Sequence, residues 1–449
     1  LQDCRTTNQI KQALKRLPKT LDQTYDRILE KILKSGNEND ANHAQAALMW
    51  LVSSERPLTL EELAEAAIVH SPVITIDPAD RFFVPTDIMT ICKSLVSLID
   101  FQQDQHYMFS NIRACGTSIV RLSHCSVKEY LISERIKHKS EIAVFTKAIQ
   151  NSPWILAETC ITYLLLVDMS VKREFDDLVK HFPLLGYATY FWHRHCVRIE
   201  GDDRMILEEV AMPLVKEKYY LLRNSILHLS GNYLINLCPD PNSRPLVYAS
   251  YYGLDTIVRK LIQAGAKIPD ADDINVLVAA AFTGHLSIVE LLLKEGADID
   301  AVYPSLGTAL AAAAFIGHEP TVKLLLKEGA RIDWSDSIVG SLHKNALEAA
   351  AAGGHKSLVQ LFLDKGVDVN IIGRSTALIA AAYGGFGPVV ELLLKAGADI
   401  NSIDDGDAAL SRAADGGHES VVDLLLKYGA DIIENTEVST FLFTNIVLS

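Results

Sequence analysis

The 449-residue sequence predicts a mainly α fold, in which a helical first half precedes a solenoid of stacked helical hairpins. Two observations predict it. Glycines at 253, 284, 317, 354, 385 and 417 are each followed 12 residues later by a second glycine, and successive units are spaced by 31, 33, 37, 31 and 32 residues. Composition also changes near residue 240: residues 1–240 carry 27 basic and 30 acidic side chains, whereas residues 241–449 carry 15 and 26. All seven cysteines (Cys4, Cys92, Cys115, Cys125, Cys160, Cys196, Cys238) lie in the first part.

Composition narrows the function classes. With 49% hydrophobic and 22% charged residues the chain has a globular balance, which excludes a wholly disordered protein. The net charge of −14 argues against general nucleic-acid binding. The cysteine count is odd and no C-x-x-C occurs, so neither a disulfide framework nor a zinc site is expected, and a reduced, cytoplasmic compartment fits. No apolar run reaches the roughly 18–20 residues that span a bilayer. The longest, Trp154 to Val167, contains Glu158 and reads as a buried helix. No basic-then-apolar leader is present, and a first residue Leu1 reads as a fragment with sequence upstream.

The elements follow in order. Residues 1–39 form a helical linker, in which 10–35 are helical. There Thr20-x-x-Gln23 is a capping-box pattern, Tyr25, Ile28, Leu29, Ile32 and Leu33 share a face, and Gly36 is the stop. Residues 40–138 form the next domain. A helix over about 42–53 is followed by a turn at Arg56-Pro57-Leu58 and a helix opened by Thr59-x-x-Glu62. A further helix over 85–98 turns Ile88, Ile91, Leu95 and Val96 inward. Two extended runs, Tyr107–Phe109 and Ser118–Leu122, are joined through Gly116, and Ser126-x-x-Glu129 caps a last helix, VKEYLIS. Three helices followed by a two-stranded hairpin is a winged-helix order. As a DNA reader the 85–98 helix is poor, because it offers Lys93 and Asp87 and little else polar. Residues 139–240 read as a helical connector.

Residues 241–432 hold six repeat units. Each begins with a short alanine-rich helix, such as ALAAAAFIG at 309–317, and small side chains let neighbouring helices approach closely. The central glycine turns the chain without a Cβ penalty. The second helix places Val289, Leu292 and Leu293 on one face, and the closing glycine suits the left-handed position after a helix. One unit cannot bury its apolar face alone, so the units must stack. This pattern resembles the ankyrin repeat, with T-P-L-H appearing as Thr308-Ala309-Leu310 and Thr376-Ala377-Leu378; the Thr remains a helix cap. His285, His318, His355 and His418 follow the central glycine, and their common register marks them as structural rather than metal ligands.

The resemblance implies binding of a protein ligand and no chemistry. Tyr251, Phe282, Phe315, Ala352, Tyr383 and Asp415 fall in one register, which in ankyrin arrays lines the concave face. Its aromatics are either a binding ladder or rings packed on the helices below. The connector from Trp334 to Lys344, with Trp334, Ile338 and Val339, is either a contact-making finger or a locally packed hairpin. Acidic residues on connectors (Asp298, Asp300, Asp399, Asp404, Asp405, Asp407) either steer a basic partner or form a solvated rim. The tail, residues 433–449, is apolar and is either a makeshift cap or the stump of a longer array.

A second resemblance covers about residues 5–200. LPKTLDQTYDRILEKI (17–32), RPLTLEELAEA (56–66) and VRLSHCSVKEYLIS (120–133) are similar to the segment after the nucleotide-binding module of fungal NACHT–ankyrin proteins. These are STAND-type signalling ATPases akin to NOD-like receptors. The resemblance implies a winged helix that closes over a NACHT module, repeats that sense, and a role in non-self recognition or regulated cell death. It makes His124 either a nucleotide contact in a full-length protein or a structural histidine. No G-x-x-x-x-G-K-[ST] occurs in the chain, so no phosphate-cradling loop, cofactor or catalytic residue is expected here. G-x-S-x-G, H-E-x-x-H and G-x-G-x-x-G are likewise absent, and Cys125 reads as a buried, inert thiol. The expected function is therefore a non-enzymatic sensor portion of a signalling protein. A passive adaptor is the alternative, and a winged-helix transcription regulator is a weaker one.

Overall fold

In a computed structural model of the chain, described residues are 20–35, 38–69, 81–82, 84–100, 118–139, 141–167, 175–217, 245–268, 276–303, 306–332, 345–372, 375–404 and 407–431. The chain divides into two compact units, Leu1–Leu229 and Ser230–Ser449. Both are mainly helical.

The first unit is built around α2. Helix α1 (Leu21–Leu33) starts at Thr20, whose side chain accepts from the Gln23 N–H at 3.2 Å. Its buried stripe is Tyr25, Leu29 and Ile32. Helix α2 (Glu38–Ser53) starts four residues earlier than the pattern indicates. Strand β1 (Leu58–Thr59) leads into α3 (Leu60–Ile68). Here the expected capping box is complete: Thr59 accepts from the Glu62 N–H, and Glu62 accepts from the Thr59 N–H at 3.0 Å. Glu62 also takes two bonds from the buried Arg56 guanidinium, at 2.6 and 2.7 Å, so each buried charge has its partner.

The helix expected over 85–98 is a correction. Helix α4 runs only from Asp87 to Cys92, followed by a 3-10 turn at Lys93–Leu95 and strand β2 (Val96–Asp100). Lys93 takes φ 54°, the one positive φ at a non-glycine among the described residues. The chain therefore leaves the helix there, and the V-S-L-I-D run that follows pairs antiparallel with β3 (Ser118–Leu122), Val96 facing Leu122 and Leu98 facing Val120. The hairpin partner of Ser118–Leu122 is thus Val96–Asp100. The run Tyr107–Phe109 and Gly36 lie outside the described residues. With β1 the sheet has the order β1-β3-β2, antiparallel throughout.

Helix α5 (Cys125–Leu131) is capped by His124, not Ser126: the His124 Nδ1 accepts from the Ser126 N–H at 3.1 Å. Short α6 (Glu134–Lys137) and α7 (Ala143–Gln150) lead to α8 (Ser152–Leu166). Helix α8 is apolar on every side and packs against α2, α7 and two further helices, α10 (Leu185–Val197) and α11 (Gly201–Glu217), with α9 (Phe175–His181) placed between in sequence. Trp50 of α2 meets Tyr187 of α10 edge-on at 5.5 Å, and the Arg56 guanidinium lies over the Tyr187 ring.

Among its described residues the second unit holds six helical hairpins in series. The pairs are α12 (Pro245–Tyr252) with α13 (Asp255–Gln263), α14 (Val276–Thr283) with α15 (Leu286–Lys294), and α16 (Ala309–Ile316) with α17 (Glu319–Lys327). They continue as α18 (Ala346–Ala352) with α19 (Lys356–Asp364), α20 (Ala377–Tyr383) with α21 (Gly387–Lys395), and α22 (Ala409–Asp415) with α23 (Glu419–Lys427). A two-residue hairpin, β4 (Ile403–Asp404) with β5 (Asp407–Ala408), precedes the last pair. Thr308 and Thr376 cap their helices as expected, and Asn345 caps α18. In α15 the buried residues are Ile288, Val289 and Leu292. Leu293 is only half-buried, because the helix turns its Ile288 rather than Leu293 onto the first helices. Each fully buried Leu or Val of this kind stabilises by about 1.5–3 kcal/mol.

Candidate protein-binding face

All twelve repeat glycines have φ between 71 and 97°. In the first five units the first of each pair is needed twice over, whereas a Cβ on Gly417 would meet nothing within 4 Å. A Cβ on Gly317 would lie 2.4 Å from the His355 ring, and one on Gly253 or Gly284 would strike His285 or His318 as closely. The imidazole therefore occupies the space a side chain would take. From there its Nε2–H donates to a carbonyl of the preceding unit: His285 to Tyr251 at 3.1 Å, His355 to Phe315 at 3.0 Å and His418 to Tyr383 at 3.0 Å. His318 reaches Phe282 in the same way; burial lowers its pKa, and the Phe282 bond works against that shift. The histidines are rivets between units, and among the described residues no metal-binding cluster occurs. In the fifth unit Phe386 takes the histidine's place, its ring against Gly354 and Gly384.

The carbonyls they grip belong to the aromatic register. First helices pack on one another more closely than second helices do, so the stack curves with the first helices inside. Along that side Tyr251 and Phe315 are half-buried, Phe282 is 8% exposed and Tyr383 is 55% exposed. Ala352 is half-buried and Asp415 exposed. Phe282 thus contributes an edge rather than a free face. Tyr383 has the Arg412 guanidinium over its ring at 5.9 Å. Ile316, beside Phe315, is also exposed, as are Ile372 and Ile403. The last two lie six residues after Gly366 and Gly397, at the same place in units four and five. Trp334, Ile338 and Val339 lie outside the described residues, as does the tail from residue 432.

Of the connector acids, Asp298, Asp300 and Asp399 are structural, and Asp405 lies outside the described residues. Asp298 and Asp399 accept N–H groups of their own turns, and Asp300 accepts from the Arg331 N–H at 3.0 Å in the next unit. Asn370 and Asn401 repeat that link to Asp399 and Asp431. Glu348 stands where the T-P-L-H histidine would be and accepts from the Ser375 N–H at 3.1 Å. The positions five and six residues before the central glycine carry Tyr248 and Val247, Ala279 and Val278, Ala312 and Ala311, Ala349 and Glu348, and Ala380 and Ile379 in the first five units; all but half-buried Ala380 are buried. In the sixth they are half-exposed Arg412 and Ser411.

His124, in the first unit, is exposed and lines a cleft of about 320 Å³ with Arg56, Arg121, Cys125 and Lys128. Its Nδ1 is committed to the α5 cap and lies 2.7 Å from the Ser126 hydroxyl, which also meets the Tyr25 hydroxyl. Cys125, expected to be buried, is exposed at the first turn of α5, because capping by His124 turns it outward.

The sequence model of ankyrin repeats matches in three copies, over residues 223–303, 276–373 and 347–436. The chain carries an ankyrin-repeat array. A protein of Monascus ruber described as azaphilone pigments biosynthesis cluster protein L is 32% identical over 319 residues, 66% of this chain. The match spans 63% of that relative's own length. The crystal structure of the human ASB11 ankyrin repeat domain is similar over 45% of this chain and 97% of its own, at 23% identity and a TM-score of 0.38. Ankyrin repeats imply a protein partner, and no described helix is long and apolar enough to cross a membrane.

Proposed function

We propose that the chain is the non-enzymatic, ligand-binding portion of a STAND-type signalling protein. The ankyrin array holds a protein ligand along its first-helix side. Residues 40–138 form a winged-helix-like domain that couples this binding to a NACHT nucleotide switch carried elsewhere in a longer protein. The observation that carries the binding role is the register of Tyr251, Phe282, Phe315 and Tyr383, rings in units one, two, three and five, with Ala352 in the fourth and no charge until Asp415. The coupling role is supported by the three resembling phrases and by the β1-β3-β2 sheet beside α2, α3 and α4. His124 in its basic cleft is the group that would meet a nucleotide, through Nε2. Coupling requires a ligand with different affinity for two domain arrangements.

A passive adaptor is the second reading. The pigment-cluster description of the Monascus ruber relative favours it, since an adaptor that gathers pathway proteins needs no switch. Ligand affinity that is the same with ADP, ATP or neither in a full-length protein decides for the adaptor. A DNA-reading role is opposed by α4, whose six residues Asp87–Cys92 include no Arg, Lys, Asn or Gln.

The binding face is tested by selecting a displayed random-peptide library on the full chain. Clones are rescreened against Tyr383→Ser, Phe315→Ser and the second-helix change Lys327→Glu. Clones lost with the first two and kept with the third support the reading. Clones indifferent to Tyr383 and Phe315 overturn it.

A further inference from the structure

We propose that the ligand of this face is an uncharged segment in the polyproline II conformation, with a proline or apolar residue at every third position and its largest side chain over Ala352. The proposal rests on the binding role of the aromatic register and names the partner's chemistry.

Spacing is the first argument. Alanine-rich first helices pack directly on one another, and packed helices lie about 8–10 Å apart, toward the short end where the contact residues are small. Tyr251, Phe282 and Phe315 therefore recur at that interval, and Tyr383 follows two intervals on. A polyproline II segment has three residues per turn and a rise of about 3.1 Å, so every third side chain returns to the same face after about 9 Å. A β-strand turns successive side chains to opposite faces with period two, and its third residue would point away from the rings. A helix offers a matching interval only at every seventh residue, and it is about 10 Å wide.

Chemistry is the second. At the two positions before the central glycine, the first five units hold Tyr251 and Tyr252, Phe282 and Thr283, Phe315 and Ile316, Ala352 and Gly353, and Tyr383 and Gly384. No charge occurs among them, while the second helices carry ion pairs such as Lys323–Glu319 and Lys395–Glu391. The charges on this side, Arg412 over the Tyr383 ring and exposed Asp415, belong to the sixth unit; over the first four units a charged ligand would lose water with nothing to pair it, whereas prolyl rings lose little by stacking on aromatics. The polyproline II backbone has no internal hydrogen bonds, so its carbonyls are open to a donor such as the hydroxyl of Tyr383, a residue 55% exposed.

The fourth unit sets the sequence preference. Rings in units one to three and five flank Ala352, which is followed by Gly353 and Gly354. Gly353 cannot carry a side chain, since its Cβ would meet the Phe315 carbonyl oxygen at 2.1 Å. The ladder therefore has a notch where one ring is missing, and the ligand's bulkiest residue fills it.

The test is fluorescence anisotropy of the full chain with synthetic peptides of about thirteen residues, built with proline at every third position and leucine at the position over the notch. Both chain directions are made, with serine and glutamine elsewhere. One direction is expected to bind at least roughly tenfold more tightly than the same residues rearranged to period two. Tyr383→Ser should weaken it. Ala352→Phe, which installs the ring that units two and three already accommodate, should weaken the leucine peptide by roughly tenfold while sparing a proline-only peptide. Equal binding of the rearranged peptide overturns the proposal. So does tighter binding of a helical peptide with leucine at every seventh position, or loss of the proline-only peptide as well in Ala352→Phe. If the period-three peptides fail while library clones are still lost on Tyr383→Ser, this proposal falls and the binding role stands; if those clones ignore Tyr383 and Phe315, both fall.

Discussion

Replacing Gly317 by alanine should destabilise the array through two separable effects, and Gly366→Ala should show only one of them. Both glycines have positive φ, 86° and 81°. Holding an L-residue there costs about 1–2 kcal/mol. The smaller conformational entropy of the alanine-containing unfolded chain is common to both and cancels in the comparison. At Gly366 a Cβ meets nothing within 4 Å, whereas at Gly317 it falls 2.4 Å from His355 Cε1 and 2.5 Å from Nδ1. The ring must move, and its bond to the Phe315 carbonyl is lost, at about 0.5–1.5 kcal/mol. The packing of the imidazole goes with it. Gly317→Ala should therefore exceed Gly366→Ala by about 1–2 kcal/mol. Urea unfolding followed by circular dichroism reads this as a lower midpoint at unchanged slope. Repeating the pair on a His355→Ala background closes a cycle. The reasoning is refuted if the two alanines shift the midpoint equally, or if the excess survives without His355.

Three other changes have defined outcomes. Glu62→Gln leaves the Arg56 charge buried and should cost about 3–5 kcal/mol in urea unfolding, most of it regained when Arg56→Met and Glu62→Leu are combined. Thr376→Ala removes the cap that accepts from the Ile379 N–H and should cost about 1 kcal/mol by the same measurement, with Thr376→Ser near neutral. His195 is held neutral, its pKa lowered from 6.5 to about 3 by burial first and then by Arg198 and Arg194. Its contribution is complete above pH 6.5 and drains as pH falls toward 3, so unfolding at pH 5 should be about 2 kcal/mol easier than at pH 7.5 on this account. His195→Gln should flatten that dependence, and an unchanged slope with pH would remove His195 as its source.

The repeat array was legible because each unit declares itself through two glycines 12 residues apart, both at positive φ, and through a second helix of fixed period. Thr59 and Glu62 were equally readable, since a capping box is a local arrangement. The extent of α4 was not. Ile88, Ile91 and Leu95 continue a helical stripe straight across Lys93, and only pairing with Ser118–Leu122 decides that the chain is extended from Val96. His124 as a cap was hidden for a related reason: a histidine nitrogen caps a helix far less often than the serine two residues on. The aromatic register was found by alignment, but its exposure was not, because burial depends on what the next unit places beside each ring. Phe282 is followed one unit on by Phe315 and Ile316, whereas Tyr383 is followed by Asp415 and Gly416.

Phe386 gives the stack a seam. Every joint from the first unit to the fourth, and the joint from fifth to sixth, is stitched by an imidazole hooked on the carbonyl behind it. Between the fourth and fifth a phenyl ring leans on glycine and can hook nothing. Under thermal agitation the last two hairpins should peel away together along this line, leaving the first four as a block, and amide protons of Ala377–Tyr383 should exchange ahead of those of Ala309–Ile316.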